Sequence, residues 1–324
     1  MSVCMGCLKQ IENGTYCNVC LRKMFKGKSP TLDLKRSEFQ IIRYQKIDHF
    51  SISGVQDKIS LKLSGKNLIP TTSEGEYILK PIPESQVPQL QNDISANEHL
   101  TMQIAKQIFK IQTAENALID FADNESAYIT RRFDRREGQK IRQEDFCQIG
   151  GISPETDGPN FKYETSYEEI GKIVFDHCAA AKIEIEKLYK LILFNYIFGN
   201  GDAHLKNFSL IETINGDFVL SPAYDLLNTN IHFPNESRMA LDLFKDFETE
   251  HYKINAFYGF EDFMKLGEIY GIKSTRVKKM ILEFSAKREK VEKLISQSFL
   301  SPKCKEKYLG IYLDRLQAIT DKLQ

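Results

Sequence analysis

The sequence predicts an α+β protein of two lobes, a β-rich one of about 100 residues followed by a helical one of about 180. Three observations carry this. Short alternating apolar runs separated by turn residues fill the stretch from about residue 50 to Arg136. Beyond Arg136 the apolar residues recur at helical spacing over long segments. Four cysteines crowd the first twenty residues and set that end apart as a small unit. The boundaries expected are 1–30 for that unit, 31–136 for the first lobe and 137–324 for the second.

Composition bounds the class. Hydrophobic residues are 42% and charged residues 27% of the chain, ordinary for a globular protein. Lys+Arg and Asp+Glu both number 44, so the chain as a whole is no general binder of nucleic acid or membrane surface, although a local basic patch stays open. No apolar run reaches the roughly 18 residues that span a bilayer, and the polar, cysteine-rich start is unlike a signal peptide. A cytoplasmic location is expected. Seven cysteines, an odd number, then suggest metal or free thiols rather than a disulfide framework.

In chain order, Cys4-x-x-Cys7 and Cys17-x-x-Cys20 form two knuckles, with Asn13-Gly14 as the turn between them. Two such pairs complete a tetrahedral shell for zinc, and a closed shell leaves no position for a substrate, so the expected role is a structural staple. Residues 22–36, with Arg22, Lys23, Lys26, Lys28, Lys35 and Arg36, read as a solvated linker. "KISLKL" alternates, with Ile59, Leu61 and Leu63 on one face, and "EYILK" is a short strand ending at Lys80. Pro81, Pro83 and Pro88 impose an irregular loop. A helix is expected from about Ile94 to Phe109 with Leu100, Ile104 and Ile108 as its stripe, then the strands "NALIDF" and "SAYITRRFD" around the turn "ADNES". "SYEEIGKIVFDHCAAA" and "IEKLYKLILFNYIFGN" read as helices, the second apolar all round and therefore buried. "DFVLSPAYD" reads as one strand led by Asn215-Gly216, and amphipathic helices fill the chain from about Glu261 onward.

The polar run "FGNGDAHLKNFSLIETINGDFVLSPAYD" raises the question of chemistry. Phosphoryl transfer needs a carboxylate at the acceptor hydroxyl, oxygen ligands for metal on the nucleoside triphosphate, and a lysine on the α- and β-phosphates. Asp202 and Asn207 stand five apart, as aspartate and asparagine do in a kinase catalytic loop, and Asp225 follows 18 residues later. Lys80 ends a strand in the earlier lobe, and Glu98, 18 residues on, lies on the next helix. Singly, Asp202 reads as well as a cap, Asn207 as a turn residue, Asp225 as a loop carboxylate and Lys80 as a solvated cation. The five in order point to a two-lobed protein-kinase-like fold. "SISGVQDK", Ser51 to Lys58, is placed to cover the phosphates, although it holds one glycine where ordinary kinases have three. A phosphate on Ser51 or Ser53 would add about −1.5 to −2 charge there and repel ATP or lock the loop away. His204 is expected to order the catalytic loop or lie near transferred phosphate.

"SISGVQDKISLKL", "YILKP", "NEHLTMQIAKQI", "RRFDR", "QEDFCQ", "GDAHLKNFSL" and "LSPAYDLL" together resemble the HipA family of serine/threonine kinase toxins over about residues 50 to 245. The resemblance implies ATP with Mg²⁺, Asp202 as catalytic aspartate, Asn207 and Asp225 as metal ligands, and Lys80 as the ATP-phosphate lysine. It places Ser53, Gly54, Val55, Gln56 and Lys58 over the nucleotide, the backbone near Arg132 and Phe133 at adenine, and Gln148 at the cleft. It implies autophosphorylation at Ser51 or Ser53 and an aminoacyl-tRNA synthetase as target. The chain resembles the short HipT form, in which a separate small protein, HipS, supplies a missing subdomain, and a DNA-binding HipB antitoxin is the usual other partner. A small-molecule or lipid kinase, and a nucleotide-binding regulatory partner of a DNA-bound antitoxin, are the competing readings.

Overall fold

The computed structural model describes residues 2–45, 57–85, 88–136 and 138–323. Ser51, Ser53, Gly54, Val55 and Gln56 of the expected phosphate loop lie outside the described residues. The first unit is the hairpin β1 (Ser2–Val3) and β2 (Gln10–Ile11) followed by helix α1 (Asn18–Phe25). The Cys17 side chain caps α1 by accepting from the Cys20 amide. Helix α2 (Arg36–Gln45) follows.

The first lobe is an antiparallel sheet of β3 (Ile59–Ser64), β4 (Asn67–Pro70), β5 (Tyr77–Lys80), β6 (Asn116–Asp120) and β7 (Ser126–Arg131), in the order β4-β3-β5-β7-β6. The register sets Lys80 opposite Tyr128, so the lysine leaves the central strand. The alternation read from "KISLKL" holds, for Ile59 and Leu61 are buried and Leu63 packs against the same cluster. The basic stretch 22–36 is not a solvated linker. Leu32 and Leu34 are buried, Thr31 trades backbone hydrogen bonds with Lys66 and Leu68, and Arg36, with its side chain 11% exposed, bonds Glu125 and the Ile82 carbonyl. The two leucines alternate as an edge segment does, and burying them outweighs keeping the neighbouring lysines in water. One apolar cluster then joins Tyr16, Met24 and Phe25 to Leu61, Tyr77 and Ile129.

Helix α3 (Ile94–Gln107) lies within two residues of its expected end. It carries more than one apolar stripe: every residue from Ile94 to Ala105 is buried, because three bodies cover it. Its polar side chains bind each of them. Gln103 donates to Asn116 Oδ1 of the sheet at 2.9 Å. Asn97 exchanges hydrogen bonds with the Asn228 backbone at 2.9 and 3.1 Å, and Thr101 meets the Tyr308 hydroxyl at 2.8 Å. His99 reaches the Gly6 carbonyl at 3.3 Å and Gln107 the Cys7 carbonyl at 2.9 Å.

The second lobe opens with β8 (Arg135–Arg136) and β9 (Gln139–Lys140), then β10 (Gln143–Asp145), α4 (Phe146–Gly150) and α5 (Pro154–Asp157). Helices α6 (Tyr167–His177) and α7 (Ala181–Ile197) pack together, and α7 is buried on nearly all sides as its composition requires. Strands β11 (Ser209–Glu212) and β12 (Phe218–Leu220) complete a three-stranded antiparallel sheet in the order β10-β11-β12. Gly216, at φ 83°, turns the hairpin between them. The strand expected over "DFVLSPAYD" stops at Leu220: Pro222 has no N–H for a further ladder bond, and the chain runs on as an extended loop. Helices α8 (Glu250–Asn255), α9 (Phe260–Ile269), α10 (Ser274–Ala286), α11 (Arg288–Gln297) and α12 (Pro302–Thr320) close the lobe. Phe109 after α3 stacks on Phe284 of α10 at 4.3 Å, so the lobes share their largest core. The whole is the α+β, kinase-like arrangement of a β-rich and a helical lobe. No helix among the described residues is long and apolar enough to cross a membrane.

Candidate functional site

The lysine of β5 is the centre of an ionic network. Lys80 Nζ lies 2.8 Å from Glu98 Oε1 on α3 and 2.5 Å from Asp225 Oδ1 on the loop after β12. Glu98 is buried at 2% exposure, whereas the Asp225 side chain is 42% exposed. Burial pushes the Glu98 carboxyl up to about 7 against the pull of Lys80. Burial disfavours the Lys80 ammonium, but Asp225 and Glu98 outweigh it and hold its pKa above the ordinary value. For Asp225 burial is overcome by Lys80, and its pKa is lowered. One ammonium therefore keeps two carboxylates together across the lobes. Asp225 also has φ 54°, a left-handed conformation uncommon for a side chain larger than glycine and typical of residues held for function.

The catalytic-loop candidate begins where α7 ends. Asn200 donates to Asn195 Oδ1 at 3.0 Å and approaches the Asp225 carbonyl at 3.5 Å. Gly201 N–H donates to Thr229 Oγ1 at 2.8 Å. A Cβ on Gly201 would fall 2.6 Å from the Ser237 carbonyl, so only glycine fits this approach. Asp202 follows with its side chain 48% exposed. Asn207 Oδ1 accepts from the His204 amide at 3.1 Å, which folds 204–207 into one tight turn (Leu205–Asn207 is 3₁₀). Tyr224 donates to the Lys206 carbonyl at 2.8 Å, tying this loop to the residue before Asp225. His204 is buried, its Nε2 is 3.9 Å from Asp202 Oδ1, and burial pushes its pKa down to about 4, so the imidazole is neutral. It orders the loop.

Between the lobes is a cavity of about 330 Å³. Lys58, Lys80 and Asp225 line its polar end, and Ile78, Ala114 and Phe133 its apolar part. This is the shape and chemistry of a pocket for a base and a polyphosphate. Arg132 also lines it, but its amide is taken by the Glu76 carbonyl at 2.8 Å and its guanidinium by Asp134 at 2.6 Å. Gln148 is not at the cleft. It is exposed, and its side chain accepts from the Asp145 amide at 2.9 Å in a capping box that starts α4. Gln143 lines the cavity instead and donates to Ser209 Oγ at 3.0 Å. Glu98 does not line it either and acts on it through Lys80.

The four N-terminal thiols converge, with all Sγ atoms of Cys4, Cys7, Cys17 and Cys20 within 4.8 Å of one another. The Cys17 amide donates to Cys4 Sγ at 3.1 Å, as backbone N–H groups do to metal-binding thiolates. Four such donors could hold one tetrahedral ion. The unit sits on the edge of the sheet: Leu118 N–H donates to the Met5 carbonyl at 2.9 Å and Tyr16 donates to the Leu118 carbonyl at 2.6 Å.

Sequence reasoning missed Tyr163 and Lys162, which the 3₁₀ turn Phe161–Tyr163 brings onto the catalytic loop. Tyr163 donates to Asp202 Oδ1 at 2.6 Å, and Lys162 Nζ is 2.8 Å from His204 Nε2. The only signal was "FKY", an apolar-basic-aromatic triplet inside a polar stretch.

Residues 50–292 match the family model of the HipA-like C-terminal domain. A Haemophilus influenzae protein that bears the name "Putative kinase" is 32% identical over 311 residues, 89% of this chain and 87% of that protein. The serine/threonine-protein kinase toxin HipA of Shewanella oneidensis is 27% identical over 221 residues, 61% of this chain and 47% of that protein. The solved complex of Shewanella oneidensis HipA, HipB and operator DNA contains a chain of similar fold, with TM-score 0.63, 19% identity, and coverage of 87% of this chain and 71% of that one. A family match over most of the chain and a two-lobed cleft built around Lys80, Glu98 and Asp225 have one reading: the chain belongs to the HipA-like kinase family.

Proposed function

We propose that this protein is an ATP-dependent serine/threonine protein kinase of the toxin type. The observation that carries this is the buried Lys80–Glu98 pair joined to Asp225 at one cleft, with Asp202 and Asn207 on the loop bonded to it. Lys80 would hold the α- and β-phosphates. Asp225 and Asn207 offer the hard oxygen ligands that Mg²⁺ takes, and the ion, when bound, neutralises triphosphate charge. Asp202, half-exposed beside the cleft, would orient the acceptor hydroxyl and receive its proton while the γ-phosphorus–oxygen bond to ADP breaks and the bond to the acceptor oxygen forms. Phe133 would border the base. Ser51 and Ser53 are the proposed autophosphorylation sites.

The Shewanella oneidensis complex, which joins HipA to HipB and operator DNA, supports a HipB-like DNA-binding antitoxin as partner. A HipS-like small protein and an aminoacyl-tRNA synthetase substrate rest on the sequence resemblance. The thiolate set fits Zn²⁺ in a structural role.

The experiment is intact-mass analysis after incubation with ATP and Mg²⁺, for the wild type and for Asp202→Ala. The wild type gains phosphate on Ser51 or Ser53, and the variant does not. A wild type that stays unmodified and binds no ATP refutes the proposal.

A further inference from the structure

Resting on the kinase reading, we infer that Tyr163 and Lys162 form the acceptor-side positioning pair of the site. The catalytic aspartate of a phosphoryl transferase has two oxygens and needs only one for the acceptor hydroxyl. In this chain Oδ1 of Asp202 is spoken for by the Tyr163 hydroxyl at 2.6 Å. The remaining oxygen belongs to a side chain that is 48% exposed, so a serine or threonine can reach it from solvent. A carboxylate on a loop rotates about two side-chain bonds. A strong hydrogen bond to one oxygen removes that freedom and aims the other.

The tyrosine is itself held. Its ring meets the His204 ring edge-on at 5.2 Å, and Lys162 Nζ lies 4.8 Å from its centroid. Burial and the neighbouring Asp202 raise the phenol pKa, so Tyr163 remains an O–H donor and never competes as an anion. Lys162 donates to His204 Nε2 at 2.8 Å, which the neutral imidazole accepts. The same three-residue turn places Phe161 under Lys206 at 5.9 Å, and Lys206 is paired with Asp145 at 3.3 Å. Both faces of the catalytic loop are thus clamped: Tyr224 and Thr229 from the metal-loop side, and Phe161–Tyr163 from the acceptor side. Lys162 keeps two further ammonium protons, a cation set one imidazole away from Asp202, through His204.

The test compares wild type, Tyr163→Phe, Lys162→Met, Lys162→Arg and Asp202→Ala in full-length protein. The acceptor probe is a degenerate Ser/Thr peptide library with γ-labelled ATP, nucleotide binding is followed with a fluorescent ATP analogue, and folding by thermal melting. Tyr163→Phe is expected to lower kcat by about 10- to 100-fold through misplacement of Asp202, with nucleotide affinity within about two-fold of wild type. Its Tm should stay within about 2 °C, since Phe keeps the ring packing. Lys162→Met is expected to lower kcat, and Lys162→Arg to recover most of it. An unchanged kcat in Tyr163→Phe, or a loss matched by an equal loss of nucleotide binding, overturns the assignment. A rise in kcat/KM overturns it too, and makes Tyr163 a gate that the acceptor displaces. A wild type that labels neither the peptides nor itself and binds no nucleotide refutes the kinase reading and the assignment together, whereas an active wild type with an indifferent Tyr163→Phe refutes the assignment alone.

Discussion

Replacing Lys80 by Met should separate stability from activity in a way that only a buried pair produces. Lys80 pairs with Glu98, whose side chain is 2% exposed, and with Asp225, whose 42% exposure lets water take over. Removing the ammonium strands the glutamate. An unpaired buried charge costs about 3–5 kcal/mol. The glutamate can avoid this by taking a proton, and its pKa already sits at about 7 with the lysine present, so without it the value climbs further. A carboxyl whose pKa is raised in the fold contributes stability fully below its unfolded value, and that contribution is lost as pH rises through the folded value. The Lys80→Met deficit should therefore grow by about 1.5 kcal/mol between pH 7 and pH 8.5, following the slope of one proton. Urea denaturation of the wild type and variant at both pH values measures it. Lys80→Met/Glu98→Gln should recover about 2 kcal/mol at pH 8.5, because a neutral amide no longer needs a cation, yet transfer no phosphate. A deficit equal at both pH values, or a double variant no more stable than Lys80→Met, would show that Glu98 does not depend on Lys80 for its charge.

Chelation or Cys20→Ser should lower Tm by several degrees and weaken phosphate transfer, because the Cys unit supplies Gly6 and Cys7 carbonyls to α3, the helix of Glu98. Zinc measured in the released fraction should approach one equivalent, and release of none would remove the metal from the account. His99, buried at 1% exposure, has its pKa pushed down to about 4 by burial. A base depressed this way contributes stability above its unfolded pKa of about 6.5, and loses about 3 kcal/mol of it as pH falls toward 4. His99→Gln keeps a donor for Gly6 but should lack that acid loss, so the two denaturation curves should converge or cross on acidification. Gly201→Ala should cut activity strongly, since its Cβ would fall 2.6 Å from the Ser237 carbonyl and push the loop carrying Asp202 aside. Wild-type turnover in that variant would refute the claim that the approach is needed.

The legible parts of this molecule are those in which one element carries its own pattern. "KISLKL" showed its face, α7 its all-round apolarity and α3 its extent, because period and length are local properties. The spacings Lys80–Glu98 and Asp202–Asn207 were readable because each joins residues no more than 18 positions apart, on consecutive elements or within one loop, and the structure brings Lys80 and Glu98 into contact. Failures came where a residue's neighbours are distant in sequence. Tyr163 reaches Asp202 over 39 positions from a segment without period, and Leu32 and Leu34 are buried because residues 31–34 run from β4, at Thr31, to the turn after β6, where the Ala122 N–H donates to the Leu34 carbonyl. Pro222 ended a strand that apolar residues alone would have continued.

Gln148 teaches something different, for its placement was available locally and was overridden. Asp145 and Gln148 stand at capping-box spacing before an apolar run, which commits both side chains to the start of a helix. A motif borrowed from resemblance named the glutamine at the end of "QEDFCQ", whereas the geometry uses the one at its start. Gln143 lies on a strand paired with β11, and strand pairing aims it at Ser209 and the cavity. The same reasoning separates roles within the ionic centre. Glu98 is too buried to touch a nucleotide and works through the lysine, so a substitution there should alter how Lys80 is held before it alters what the cleft can bind. Asp225, in a left-handed backbone conformation at the cavity wall, is the carboxylate of the network that faces the cavity. Burial, more than the spacing that first joined them, tells the positioning carboxylate from the binding one.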